Sequence, residues 1–212
     1  MIELKYKLGK YIEGKFEGVK RKFTEIPYTY HLYNVAQLAH SHDIYFGYEI
    51  GLCHDLYEDT DTQPHELIES MVNMGYDKYD AQFVSDCVVA LSKVYTGAQW
   101  THIDDETKVG LETQRILLAD NVCQSIKYCD IIDNIRYNIP FDKMYKREKQ
   151  HSLDDMTKFI LSYLPKKKLQ LDMMKQGNKA LRELALEYME KNYEHFGLNE
   201  SPLTKYVFPH ES

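Results

Sequence analysis

Gly51-Leu52-Cys53-His54-Asp55-Leu56-Tyr57-Glu58-Asp59-Thr60 is the stretch on which the reading of this chain turns. It places one histidine and three carboxylates between His54 and Asp59. An adjacent His-Asp pair at the end of an apolar helix is chemically demanding, because desolvating an unpaired carboxylate costs several kcal/mol. A divalent metal removes that cost, since neutral imidazole and carboxylate both ligate such ions. The plainer reading is a solvated helix end, with Asp55, Glu58 and Asp59 facing water. The stretch alone leaves both open.

Working outward, Ile44 to Tyr57 is apolar enough for one helix that delivers His54 and Asp55 at its C-terminal end. Upstream, Ile26-Pro27-Tyr28 breaks any helix, because proline disfavours helical geometry at the residue before it. Thr29 is then placed to cap a helix through His31, Val35, Leu38 and Ala39, which make one apolar stripe. Residues 1–22 carry scattered apolar positions and a basic end, Lys20-Arg21-Lys22, that suits either a solvated helix end or a phosphate grip.

Downstream, Asp59-Thr60-Asp61-Thr62 reads as a loop, and Thr62 with Pro64 opens a helix that Gly75 ends. Asp77 caps the next helix, Lys78 to about Ser92, with Ala81, Val84, Val88 and Leu91 on one face. Lys93 to Asp104 is polar and irregular and holds the only tryptophan, Trp100, as a lid or pocket-wall loop. From Asp105 the helical pattern returns, with a break near Asp120-Asn121 and a stop at Pro140. Two amphipathic helices, 141–164 and 166–195, follow on either side of Pro165, and the Lys166-Lys167-Lys168 run reads as a charged face. The tail after Gly197 reads as irregular. No strand alternation, repeat or low-complexity linker interrupts this pattern, so the chain reads as all-α.

Composition narrows the function classes. A chain of 212 residues suits one domain, or one domain with an appendage. A net charge of −7 argues against a general nucleic-acid binder, which would show a basic face. No apolar run approaches the roughly 20 residues of a membrane span, and Met1-Ile2-Glu3-Leu4-Lys5 lacks the apolar core of a signal peptide. Cys53, Cys87, Cys123 and Cys129 form no CxxC pair and read as reduced, mostly buried thiols. The expectation is a cytoplasmic protein with no membrane or nucleic-acid partner. Whether copies of the chain self-associate stays open.

The second polar constellation is Ile126-Lys127-Tyr128-Cys129-Asp130-Ile131-Ile132-Asp133-Asn134-Ile135-Arg136. Asp130 and Asn134 lie one turn apart on the same helix face, and Ile126 and Ile131 favour burial of the Asp130 carboxylate. A buried aspartate wants a cation.

With His31, His54-Asp55 and Asp130 in that order, the chain resembles the HD-domain metal-dependent phosphohydrolases. Pro27-Tyr28-Thr29-Tyr30-His31, Val35-Ala36, Leu52 to Thr60, Leu91-Ser92-Lys93 and Ile126 to Arg136 are similar to the ordered motifs of (p)ppGpp hydrolases, the small alarmone hydrolases among them. The likeness spans roughly residues 20–138. It implies an all-α HD-domain bundle at 1–140 with a C-terminal helical extension, 141–212, packed on it.

The resemblance also implies His31, His54, Asp55 and Asp130 as metal ligands, with manganese the usual ion and another divalent metal an alternative. It implies Glu58 and Asp59 as the pair that aligns and activates the attacking water. Asn134, Arg21 and Lys22 are implied as contacts to a nucleotide substrate. The reaction implied is hydrolysis of the 3′-pyrophosphate of (p)ppGpp to GDP or GTP and pyrophosphate. About 70 residues after Pro140 are too few for the synthetase domain of the bifunctional relatives, so hydrolysis alone is expected. Tyr128-Cys129 departs from the family pattern. Two alternatives stand beside this reading. One is a phosphohydrolase of a deoxynucleoside 5′-monophosphate or of the NADPH 2′-phosphate; the other is a non-catalytic nucleotide sensor. The remaining histidines, His40, His42, His65, His102, His151, His195 and His210, carry no expected chemistry.

Overall fold

Helix α8 (Asn121–Ile135) is buried at every residue from Cys123 to Asp133, although that span holds Gln124, Ser125, Lys127, Asp130 and Asp133. Such a helix has no solvent face, so its polar groups must find partners inside the protein. The other helices supply that enclosure. In the computed structural model, which describes residues 2–148 and 153–198, they are α1 (Ile2–Lys15), α2 (Thr29–Ser41), α3 (Gly47–Cys53), α4 (Leu56–Asp59), α5 (Pro64–Met74), α6 (Lys78–Leu91), α7 (Asp105–Leu117), α9 (Asn138–Glu148), α10 (Leu153–Met173) and α11 (Lys179–Phe196). Helices α2, α3, α6, α7, α10 and α11 all pack on α8. The only β contact among the described residues is a lone bridge between Lys20 and Pro27. The all-α expectation is met. No described helix is long and apolar enough to cross a membrane. All four cysteines are buried and unpaired. His151, His210 and the tail from 199 onward lie outside the described residues.

Several boundaries differ from the sequence reading, each for a local reason. Ile44–Tyr57 is not one helix. It ends at Cys53 and restarts as the single turn α4, whose first amides, from Glu58 and Asp59, donate to the Asp55 carbonyl. Glu58 and Asp59 therefore stand on a helical turn, and the expected loop shrinks to Thr60–Gln63. Thr29 is the first residue of α2 and caps nothing; Tyr28 precedes it without a side-chain cap. Gln63 rather than Thr62 caps α5, through a reciprocal box with Glu66, while the Thr62 hydroxyl accepts from Thr60. Asp77 caps α6 as its position suggested, and the break near Asp120-Asn121 proves to be Asp120 capping α8. Asp104 caps α7.

Both proline stops fail. Pro140 sits in the first turn of α9, where its missing amide would have no partner in any case. Pro165 lies inside α10, where a proline costs about 3 kcal/mol. Burial of Ile160, Leu164 and Leu171 across it outweighs that cost. The break between α10 and α11 falls instead near Gly177, where an added Cβ would come within 2.5 Å of the Tyr128 ring and 2.9 Å of the Ser125 nitrogen.

Candidate metal centre and substrate cleft

Gly51 lets the site assemble. A Cβ there would meet the Ala36 backbone at 2.8 Å, so only glycine allows α3 to lie this close against α2. Across that contact His31 of α2 and His54 at the end of α3 stand edge to face, with ring centroids 5.1 Å apart. Asp130, from the buried face of α8, completes a group whose ligand atoms all lie within 4.8 Å of one another. Asp55 adjoins it, its Oδ2 3.0 Å from His54 Nε2 and 3.6 Å from His31 Nε2. All four sequence-derived ligand candidates are thus brought to one place.

Both rings are held in one orientation from behind. His31 Nδ1 lies 2.6 Å from Asp133 Oδ2, and His54 Nδ1 lies 2.8 Å from the Gly51 carbonyl. With a proton on each Nδ1, both Nε2 lone pairs aim at the carboxylates. Both Nε2 atoms are buried and make no hydrogen bond. Orphaned imidazole nitrogens facing aspartates are what a divalent ion would satisfy, and the outer hydrogen bonds are those that orient metal-ligating histidines. The donor set fits a divalent ion.

The electrostatics agree. Burial disfavours an imidazolium at His31, but the carboxylates of Asp130, Asp133 and Asp55 outweigh it and raise its pKa well above the ordinary value. At His54 the same opposition, led among the raising groups by Asp55, leaves a pKa of about 9. Burial also opposes ionisation of Asp130, yet Lys127 and the two histidines hold its carboxyl well below the usual range.

Asp59 faces the same space. Burial, then the charges of Asp55 and Glu58, raise its carboxyl pKa. Its neighbour Glu58 is already engaged, since its carboxylate accepts from the Lys93 ammonium and from the Lys93 amide. The acidic pair is therefore split between one engaged and one raised carboxylate.

The cluster opens into a cavity of about 690 Å³ lined by α4, the Val19–Thr24 segment, Lys93–Thr96, α7, α8 and α10. Arg21 lines it but is anchored, donating to Asp133 at 2.9 Å and to Asn134 at 3.2 Å. Asn134 in turn donates to Asp130 Oδ1. Lys22 places its ammonium 5.2 Å over the Phe159 ring. The pocket-wall expectation holds only for the start of its segment. Lys93, Tyr95 and Thr96 line the cavity, whereas Trp100 packs on Tyr95 and His102 outside that lining.

No family model and no curated protein matches the sequence. The fold is nonetheless similar to a solved structure described as a metazoan ortholog of SpoT that hydrolyzes ppGpp and plays a role in starvation responses. The TM-score is 0.62 over 92% of this chain and 97% of that chain, at 17% identity. The architecture is the HD-domain fold.

Within this HD-domain bundle, sequence reasoning missed four partners. Tyr28 donates to Asp55 Oδ2 at 2.6 Å. Asp133 holds His31, and Lys127 pairs with Asp130 Oδ2 at 2.7 Å. Asp133 and Lys127 each lie three positions from Asp130, a helical spacing that was available as a signal. Lys167, expected on a solvated charged face, is buried at the cavity wall. The departure at Tyr128-Cys129 points away from the cluster: Tyr128 donates to the Met174 carbonyl at 2.9 Å and so ties α8 to the end of α10.

Proposed function

We propose that this HD-domain protein hydrolyses the 3′-pyrophosphate of a (p)ppGpp-like nucleotide, with manganese or another divalent ion held by His31, His54, Asp55 and Asp130. One observation carries the reading: two buried imidazole nitrogens without hydrogen bonds face two aspartates at the floor of a lysine-rimmed cleft. When bound, a divalent ion supplies Lewis acidity and brings the pKa of a water from 15.7 to about 7. The solved neighbour, described as hydrolysing ppGpp, and the ordered motifs from residue 20 to 138 support the same substrate class.

The protein's own groups then divide the work. Asp59, with its raised carboxyl pKa, accepts the proton of the attacking water. Glu58 fixes Lys93 at the cleft edge, and that ammonium faces the substrate's phosphates. Arg21 and Asn134 hold the Asp133 and Asp130 carboxylates in place, so their part is to position the centre. Phe159, with Tyr163 stacked 5.6 Å away and Lys22 above it, offers a flat face for a nucleobase. Water attack at the phosphorus next to the 3′ oxygen breaks that P–O bond, so ppGpp and water give GDP and pyrophosphate.

The test is a panel of nucleotides incubated with manganese-loaded protein, with products resolved by ion exchange. GDP and pyrophosphate from ppGpp, abolished by chelator, are the expected result. Orthophosphate from nucleoside 5′-monophosphates or NADPH, with ppGpp untouched, would transfer the assignment to another phosphohydrolase of this fold. Binding without any turnover would leave the sensor.

A further inference from the structure

Lys167 is the middle residue of a lysine run, yet it does not behave like its neighbours. Lys166 also lines the cleft but pairs there with Asp105 at 3.5 Å, and Lys168 pairs with Asp172 at 2.6 Å. Lys167 is only 9% exposed and lines the cleft. Its ammonium donates to Gln170 Oε1 at 2.9 Å and lies 5.2 Å over the Tyr163 ring. Among the described residues no carboxylate comes within ion-pair distance of it, whereas Lys93 and Lys127 each have one.

A buried ammonium held by one neutral amide is costly. Burial and the nearby Lys127 charge pull its pKa to about 7. The position itself is apolar in pattern, since Ile160, Leu164 and Leu171 share the buried side of the same helix. A methionine there would pack at no electrostatic cost. A cation kept at such a place wants an anion that arrives with the ligand.

We propose that Lys167, steadied by Gln170, holds the second phosphate of a diphosphate ester whose first phosphate meets the His31–His54–Asp130 cluster. The cleft then prefers a diphosphate leaving group to a monophosphate. Lys127 and Lys93 approach the same space from α8 and from the end of α6, so two phosphates meet three ammonium groups. The inference rests on the phosphohydrolase reading for its chemistry, but its binding test stands apart from turnover.

Calorimetric titration of the purified protein with inorganic pyrophosphate and with orthophosphate tests it. Wild type should bind pyrophosphate more tightly than orthophosphate. Lys167→Met should weaken pyrophosphate by about 10–100-fold, the worth of a charge-assisted hydrogen bond, and leave orthophosphate within about threefold. The same variant should melt at the wild-type temperature or above, because an apolar residue replaces a buried charge. A purely structural lysine predicts the reverse: a lower melting temperature and unchanged anion preference. Lys167→Gln serves the same comparison should the methionine variant fold poorly. Equal binding of pyrophosphate by wild type and variant, or no pyrophosphate preference in wild type, overturns the proposal. Should the anion data hold while ppGpp stays intact, the proposed function fails and the subsite stands. Hydrolysis of ppGpp at unchanged KM in Lys167→Met means the opposite: the subsite fails and the proposed function stands.

Discussion

The two walls of the cleft are built on opposite principles. The wall made by α2, α3, α4 and one face of α8 concentrates imidazoles and carboxylates, and the four ligand candidates are each held by a neighbour: His31 by Asp133, His54 by the Gly51 carbonyl, Asp55 by Tyr28 and Asp130 by Lys127 and Asn134. The wall made by α10 offers Phe159, Tyr163, Lys167 and Gln170, with aromatic faces and one ammonium that lacks a carboxylate. A preorganised anionic wall suits a cation that stays, and a loosely compensated cationic wall suits an anion that comes and goes. The division predicts that damage to the first wall removes the metal and the chemistry, while damage to the second alters substrate choice.

The largest effect should come from the first wall. His54→Ala or Asp55→Ala should lose bound manganese by elemental analysis and cost roughly 10³-fold or more in turnover, since a bound ion is worth several kcal/mol of charge stabilisation. Wild-type metal content in either variant would break the comparison at its base.

Asp59→Asn comes next. Metal content should be retained while turnover drops by about 10²–10⁴, the usual worth of general acid–base assistance. Glu58→Gln should lose less if its main task is to hold Lys93. Equal losses in the two variants would show that the split between them is not functional.

A smaller effect is expected from Asp133→Asn, which keeps the shape behind His31 but removes the charge. Manganese affinity should weaken by about 10–100-fold in a metal-buffer titration, with the fold intact. An unchanged affinity would reduce Asp133 to a partner of Arg21 and Arg136.

The mildest difference should appear with pH. His54 in the metal-free protein titrates near 9 against 6.5 ordinarily, because Asp55 and Asp130 overcome its burial. A raised folded-state pKa contributes stability that is fully present below pH 6.5 and is lost as pH rises through about 9. Metal-free protein should therefore melt at progressively lower temperature across that window. Metal-loaded protein should not follow it, because the ion replaces the proton and binds better as pH rises. Parallel melting curves for the two forms would count against protonated imidazoles in the empty site.

How much of this was legible depended on distance along the chain. His54, Asp55, Glu58 and Asp59 announced themselves because they fall within six positions, and Asp130 with Asn134 because a helical repeat puts them on one face. The C-terminal wall carried an unread signal. Lys167 lies seven positions beyond Ile160 and four before Leu171, so of the three lysines it alone falls among the buried positions of α10. Its run of like charges disguised it as a solvated face. Pro165 hid the same helix by suggesting a break that burial overrides.

By itself, then, the sequence determined the helical class, the cap Asp77, and the residues able to take a cation, because each follows from short-range periodicity or from the chemistry of adjacent groups. Tertiary structure alone decided that Gly51 brings His54 against His31, that Asp133 orients His31 from 102 positions away, and that α10 closes the cleft. Those outcomes depend on which surfaces meet, and burial changes the charge state of a side chain only after helices distant in sequence have packed around it.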